Sequence, residues 1–90
     1  MQAAEAVSLS DADRTALELA GATYKYPAVR ETHAREQLGL GPVEFWARVN
    51  ALLDDPAAEA ELPLVVRRLR RMRAARRDVR TARRLEAVRH

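Results

Sequence analysis

The sequence predicts an all-α fold: a small helix-turn-helix-like bundle of three helices followed by one long basic helix. Three observations carry the prediction. Apolar residues recur at three- and four-residue spacings, and no stretch shows the strict apolar/polar alternation of a half-buried strand. Pro27, Pro42 and Pro63 each open such a stretch, where the fixed φ suits a first helical turn and the missing N–H leaves nothing unsatisfied. From Leu64 to Val88 the chain contains neither glycine nor proline, so one helix can run through it.

The elements follow in order. Residues 1–9 read as a flexible N-terminal tail. Ser10 and Asp13 form a Ser-x-x-Asp relative of the capping box, and Asp11 and Asp13 suit a helix N-terminus. The first helix is expected over 11–25, with Asp13, Leu17, Ala20, Gly21 and Tyr24 on one side. It stops there because Pro27 disfavours helical geometry at Tyr26. A second helix spans 27–38 with a weak stripe of Ala34 and Leu38. Gly39-Leu40-Gly41-Pro42 then makes a corner, with Gly39 left-handed, Gly41 an N-cap and Pro42 the first residue of a third helix, 42–54. In that helix Phe45, Trp46, Val49, Leu52 and Leu53 share a core face, opposite Val43, Glu44, Ala47, Arg48 and Ala51. Asp54-Asp55-Pro56 ends it. Ala57–Leu62 reads as an acidic connector of at most one helical turn. The fourth helix, 63–88, packs its start through Leu62, Val65, Val66 and Leu69. The domain therefore covers 10–69, and 70–90 projects as a basic helix.

Ninety residues make one small domain, burying about 60–65% of its unfolded surface and hence only a marginal core. The chain lacks cysteine, so disulfides and thiolate metal sites are excluded, and no apolar run approaches a membrane span. These features lead to an expected cytoplasmic location, at the nucleoid if the partner is DNA. The formal charge of +3 conceals a split: residues 1–62 carry five basic and eleven acidic side chains, whereas residues 63–90 carry eleven basic and two acidic ones. Nearly all the basic charge is arginine, and GC-rich codons favour arginine and alanine alike, so composition accounts for part of the excess.

One run supports a resemblance. Leu52-Leu53-Asp54-x-Pro56-x-Ala58, followed by Pro63-x-x-Val66-x-Arg68-Leu69-Arg70-Arg71-x-Arg73-Ala74, resembles an actinobacterial family of short proteins known as domain-of-unknown-function family 3263. The family's aromatic cluster before a Lys-Tyr pair is thinned here to Tyr24-Lys25-Tyr26, and its paired aromatic is Phe45-Trp46. Bulky aromatics expected near Ala20–Tyr24 are replaced by small residues. The resemblance covers about residues 9–85 and implies an actinobacterial origin and a helix-turn-helix-like fold; it implies no activity.

Arg70, Arg73, Arg77, Arg80 and Arg84 step at intervals of three and four residues and so draw one line down a helix face, flanked by Arg76 and Arg83. Arginines at these spacings repel one another, and a polyanion relieves that repulsion. Guanidinium forks match phosphate oxygens. The function expected is DNA binding, with this helix as a phosphate clamp and the corner as a modest reader. The residues expected to carry it are Arg35 and Arg48 at the corner and Arg67, Arg70, Arg73, Arg76, Arg77, Arg80, Arg83 and Arg84 on the basic helix. Of the third helix's N-terminal residues only Arg48 is a strong donor, and Glu44 repels phosphates. Arg35 stands four before Gly39, where a small residue normally lets the two corner helices approach.

Other readings compete. A plain helical hairpin and a solvated charged face explain the same residues without any ligand. An acidic surface on the transcription machinery is the alternative partner for the same helix. RNA is disfavoured by the lack of exposed aromatic platforms, and a membrane by the lack of Trp, Phe or Leu anchors. Met72, Ala75, Val79 and Ala82 form a thin apolar stripe that allows a weak homodimer at most. Catalysis is not expected: His33 and His90 have no ligand-spaced companions, Ser8 and Ser10 precede a helix as capping residues do, and neither a phosphate loop nor a dinucleotide fingerprint occurs. No metal and no cofactor are implied.

Overall fold

The computed structural model describes residues 8–89, which form five helices and no strand: α1 (Asp11–Gly21), α2 (Pro27–Leu38), α3 (Pro42–Leu52), α4 (Pro56–Glu61) and α5 (Pro63–Arg89). Most of the expected tail, residues 1–7, lies outside the described residues, as does His90. Leu9 is not a tail residue: it is buried, and its N–H donates to Glu61 Oε2 at 2.6 Å. Ser10 caps α1, its Oγ accepting from the Asp13 N–H at 3.1 Å.

The hub is α1, which packs against α2, α3 and α5. Ala16 and Leu17 are fully buried, with Leu19 and Ala20 beside them; the small side chains let three neighbours crowd one helix. The helix stops at Gly21, four residues earlier than expected. Two causes act together. Arg30 of α2 reaches back and donates to the Leu19 and Ala22 carbonyls at 3.1 and 3.0 Å, satisfying the acceptors that a helix end leaves open. The early exit also turns Tyr24 toward α2, where its hydroxyl meets His33 Nδ1 at 2.9 Å. At Gly21 the chain passes so close to α5 that a Cβ there would lie 3.0 Å from Val65 Cγ1.

In α2 only Ala34 is buried, with Leu38 partly so. The expectation that Arg35 crowds the approach of α2 to α3 is corrected. Ala34 takes that inner position, in register with the half-buried Leu38 four residues on, and Arg35 faces solvent. Gly39 has φ 69° and donates its N–H to the Arg35 carbonyl at 2.9 Å, a left-handed cap that glycine takes without steric cost. Gly41 is extended and caps α3, with Glu44 Oε1 accepting from its N–H at 3.4 Å.

Phe45, Val49 and Leu52 of α3 and the following Leu53 are buried as expected. Trp46 is half-buried and meets Phe45 edge to face, ring centroids 5.0 Å apart. The segment expected as a connector is the short helix α4. Asp55 caps it by accepting from the Ala57 N–H at 2.9 Å, and Ala57 and Ala58 are buried against the start of α5. Val66 and Leu69 are the last buried anchors of α5; from there the helix runs out with no further buried residue among those described. Its 27 residues give a helix of about 40 Å, so the chain measures 58 × 30 × 20 Å.

Candidate nucleic-acid interface

The arginine line lies on the same face as the core anchor of its own helix. Counting from Val66, the residues at +4, +7, +11, +14 and +18 are Arg70, Arg73, Arg77, Arg80 and Arg84, which on an α-helix is one stripe. The stripe that begins by packing α5 on the body therefore continues as arginine, and its first members face the body's own polar groups.

Arg70 donates through Nε to the Leu53 carbonyl at 2.8 Å and through Nη1 to Glu59 Oε1 at 2.6 Å. The carbonyl belongs to the C-terminal end of α3, where a cation answers both an unsatisfied acceptor and the negative end of the helix dipole. Arg73 donates to Asn50 Oδ1 at 2.8 Å and to Asp54 at 3.1 Å. That bond and the Arg73 charge, joined by Arg70 and Arg77, hold the Asp54 carboxyl below its ordinary range. Both residues brace α5 to α3 and α4. The domain body thus extends beyond residue 69, and the projecting helix starts past Arg73.

Further along, Arg77, Arg80, Arg83 and Arg84 form no salt bridge among the described residues, and all are exposed. The Arg76 guanidinium lies 6.0 Å from the Trp46 ring centroid. Arg67 is exposed on the opposite flank of α5, next to Arg68 and Arg71. Between α3 and α5 a groove of about 640 Å³ opens, with Trp46, Ala47 and Met72 as its apolar surface and Arg76, Arg77 and Arg80 along one wall.

At the corner, Arg48 is held by Asp13 of α1 at 2.8 Å, so the strongest donor on α3 is already paired. Arg35 is exposed on α2 without an acidic partner among the described residues. Val43 and Glu44 complete the outward N-terminal surface of α3, and Val43 is 83% exposed. The structure does not bring Arg35 and Arg48 together with the distal arginines.

Several contributing residues carry no motif in the sequence. Trp46 and Asn50, one turn apart on α3, form the far side of the groove; their four-residue spacing, continued to Asp54, was the available signal. Arg30 stacks between Tyr24 and Trp46, its guanidinium 4.8 and 5.6 Å from the two centroids. Arg14 pairs with Glu61; the Leu9 N–H and then Arg14 lower the Glu61 pKa, and the bond to Glu61 and its charge raise that of Arg14. Nothing in the linear sequence joins residues 47 positions apart.

Among the described residues no cluster of His, Asp or Glu has the arrangement of a metal site, and no helix is long and apolar enough to cross a membrane. The fold and surface define a small all-α protein with a braced, then projecting, arginine-rich helix. The chain belongs to the DUF3263 family, described as a protein of unknown function, which it matches over residues 8–81. Searches of curated proteins and of solved structures returned no match.

Proposed function

We propose that this protein binds duplex DNA through the distal half of α5, by contacts to phosphate that are independent of base sequence. One observation carries the reading: past Arg73 the helix leaves the body with Arg77, Arg80, Arg83 and Arg84 exposed and in no salt bridge among the described residues. Arginines three and four residues apart repel by about 0.2–0.5 kcal/mol per pair, and phosphates remove that repulsion. A helix that runs out past its domain, with no buried residue after Leu69 among those described, resembles in form the basic helices that enter a major groove.

The corner adds little to recognition in this reading. Arg48 is committed to Asp13, and Glu44 beside it disfavours a phosphate. Arg35 and Arg67 lie on other flanks and supply background attraction, while Arg70 and Arg73 hold the clamp's base in place. The test is affinity for duplex DNA as a function of salt. Four phosphate contacts give a slope of about −3.6 in log K against log salt. A flat dependence, or no binding at low salt, overturns the reading. Binding that varies strongly with base sequence overturns its claim of indifference to sequence.

A further inference from the structure

The groove between α3 and α5 sets Arg77 and Arg80, two of the proposed phosphate contacts, beside an apolar surface that phosphate does not use. Its floor is apolar: the half-buried Trp46, the exposed Ala47 and Met72, the last being 39% exposed. Its α5 wall is cationic, with Arg76, Arg77 and Arg80. Its inner end is closed electrostatically, because Arg73 already neutralises Asp54. The α3 wall offers no unpaired cation, Arg48 being bound to Asp13 on another side.

We infer that this groove docks an acidic amphipathic helix of a partner protein, which inserts large apolar side chains against Trp46 and Met72 and sets carboxylates against Arg76, Arg77 and Arg80. This goes beyond DNA binding and gives the acidic protein partner anticipated from the sequence a place and a required pattern. Charge complementarity supports it: one wall is cationic and the floor apolar, so an occupant needs one acidic edge and one apolar edge. Two helices flanking an open channel accept a third by interdigitating side chains, with anchors spaced at i, i+4 and i+7. Guanidinium forks bind carboxylates in two-point contacts, which fixes the direction of the helix as well as its charge. A duplex gains less here. Its phosphates would meet cations on one wall only, and an apolar floor offers nothing to a sugar-phosphate backbone.

Trp46 is the chain's only tryptophan and lines the groove, so its fluorescence reports occupancy directly. The probe is a synthetic helix of about 18 residues, five turns, with leucines at i, i+4 and i+7 and glutamates along one adjoining edge; a peptide of the same composition in scrambled order is the control. The patterned peptide is expected to shift Trp46 emission to the blue and to saturate, and the scrambled one to do neither. Ala47→Glu, an exposed helix position that preserves folding, should weaken the patterned peptide about tenfold or more by setting like charge in the groove, and Met72→Gln should weaken it by removing an anchor. Arg83→Gln with Arg84→Gln should leave peptide affinity within about twofold while weakening duplex DNA, and the charge-neutral Met72→Gln should do the reverse, so failure of one reading is distinguishable from failure of the other. Absence of any Trp46 response to the patterned peptide overturns the inference. So does equal binding of the scrambled peptide, which would reduce the groove to charge alone. A DNA-induced Trp46 shift that Ala47→Glu abolishes would assign the groove to nucleic acid instead.

Discussion

Arg70 and Arg84 stand 14 positions apart on one stripe of one helix, and chemistry alone does not distinguish them. Their surroundings make Arg70 a brace and leave Arg84 exposed, where the proposed function has it donate to phosphate, so replacing each with alanine should give opposite phenotypes. Arg70 makes a 2.8 Å bond to the Leu53 carbonyl and a 2.6 Å ion pair with Glu59. Both charged side chains of the pair remain more than a third exposed, 35% and 46%, so solvent screening leaves the pair little weight and the carbonyl bond carries most of the loss. Arg70→Ala should then cost about 1–2 kcal/mol, lowering Tm by about 4–16 °C for a domain of this size, with the salt slope of DNA binding unchanged. Arg84→Ala should leave Tm where it is and remove one phosphate contact. With four contacts, a rise from about 50 to 200 mM salt weakens binding about 150-fold; with three, about 40-fold. Thermal melts by circular dichroism and fluorescence anisotropy with labelled duplex at several salt concentrations read both quantities. The reasoning is refuted if Arg70→Ala flattens the slope as Arg84→Ala does while leaving Tm unchanged, since Arg70 would then be a ligand-facing residue.

Three further outcomes are expected. Leu17→Ala, at a fully buried position of the hub helix, should cost about 2–5 kcal/mol, visible as a large drop in the urea midpoint; a loss below 1 kcal/mol would mean that α1 is not the core's centre. Gly21→Val should also destabilise, because its Cβ would meet Val65 at 3.0 Å where α1 and α5 are in closest approach; an unchanged urea midpoint would show that α5 can shift freely. Stability should fall with acid: the Leu9 N–H and Arg14 lower the Glu61 pKa from its usual 4.5, so the unfolded chain binds protons first and stability is lost as pH drops from that value through the lower folded one. Glu61→Gln should flatten that part of the pH–stability curve, and a curve identical to the parent's would remove Glu61 from the linkage.

Much of the fold was legible because it rests on local rules. Pro27, Pro42 and Pro63 each open a helix, and Gly39 takes the left-handed cap, because φ restriction and freedom are properties of single residues. The face of α3 followed from spacing alone. The end of α1 was misjudged by four residues, since it depends on Arg30 arriving from α2 to take the Leu19 and Ala22 carbonyls. The α2 stripe of Ala34 and Leu38 also followed from spacing; only the motif-based placing of Arg35 at the approach to α3 fails, since a position counted from a turn glycine does not fix which face a helix buries.

The arginine line divides in the same way. Its spacing determined that the five arginines share one helical face, because helical geometry is set by the backbone. Where that face points was decided only by tertiary contact. Val66 and Leu69 dock α5 with the arginine stripe turned toward the body, so the carbonyl of Leu53, Glu59, Asn50 and Asp54 take up Arg70 and Arg73. Burial direction and charge pairing are relations between segments distant in sequence, and they exist only once those segments have packed. The chain by itself encodes a continuous basic helix; its packing turns the first part into a brace and leaves the rest exposed.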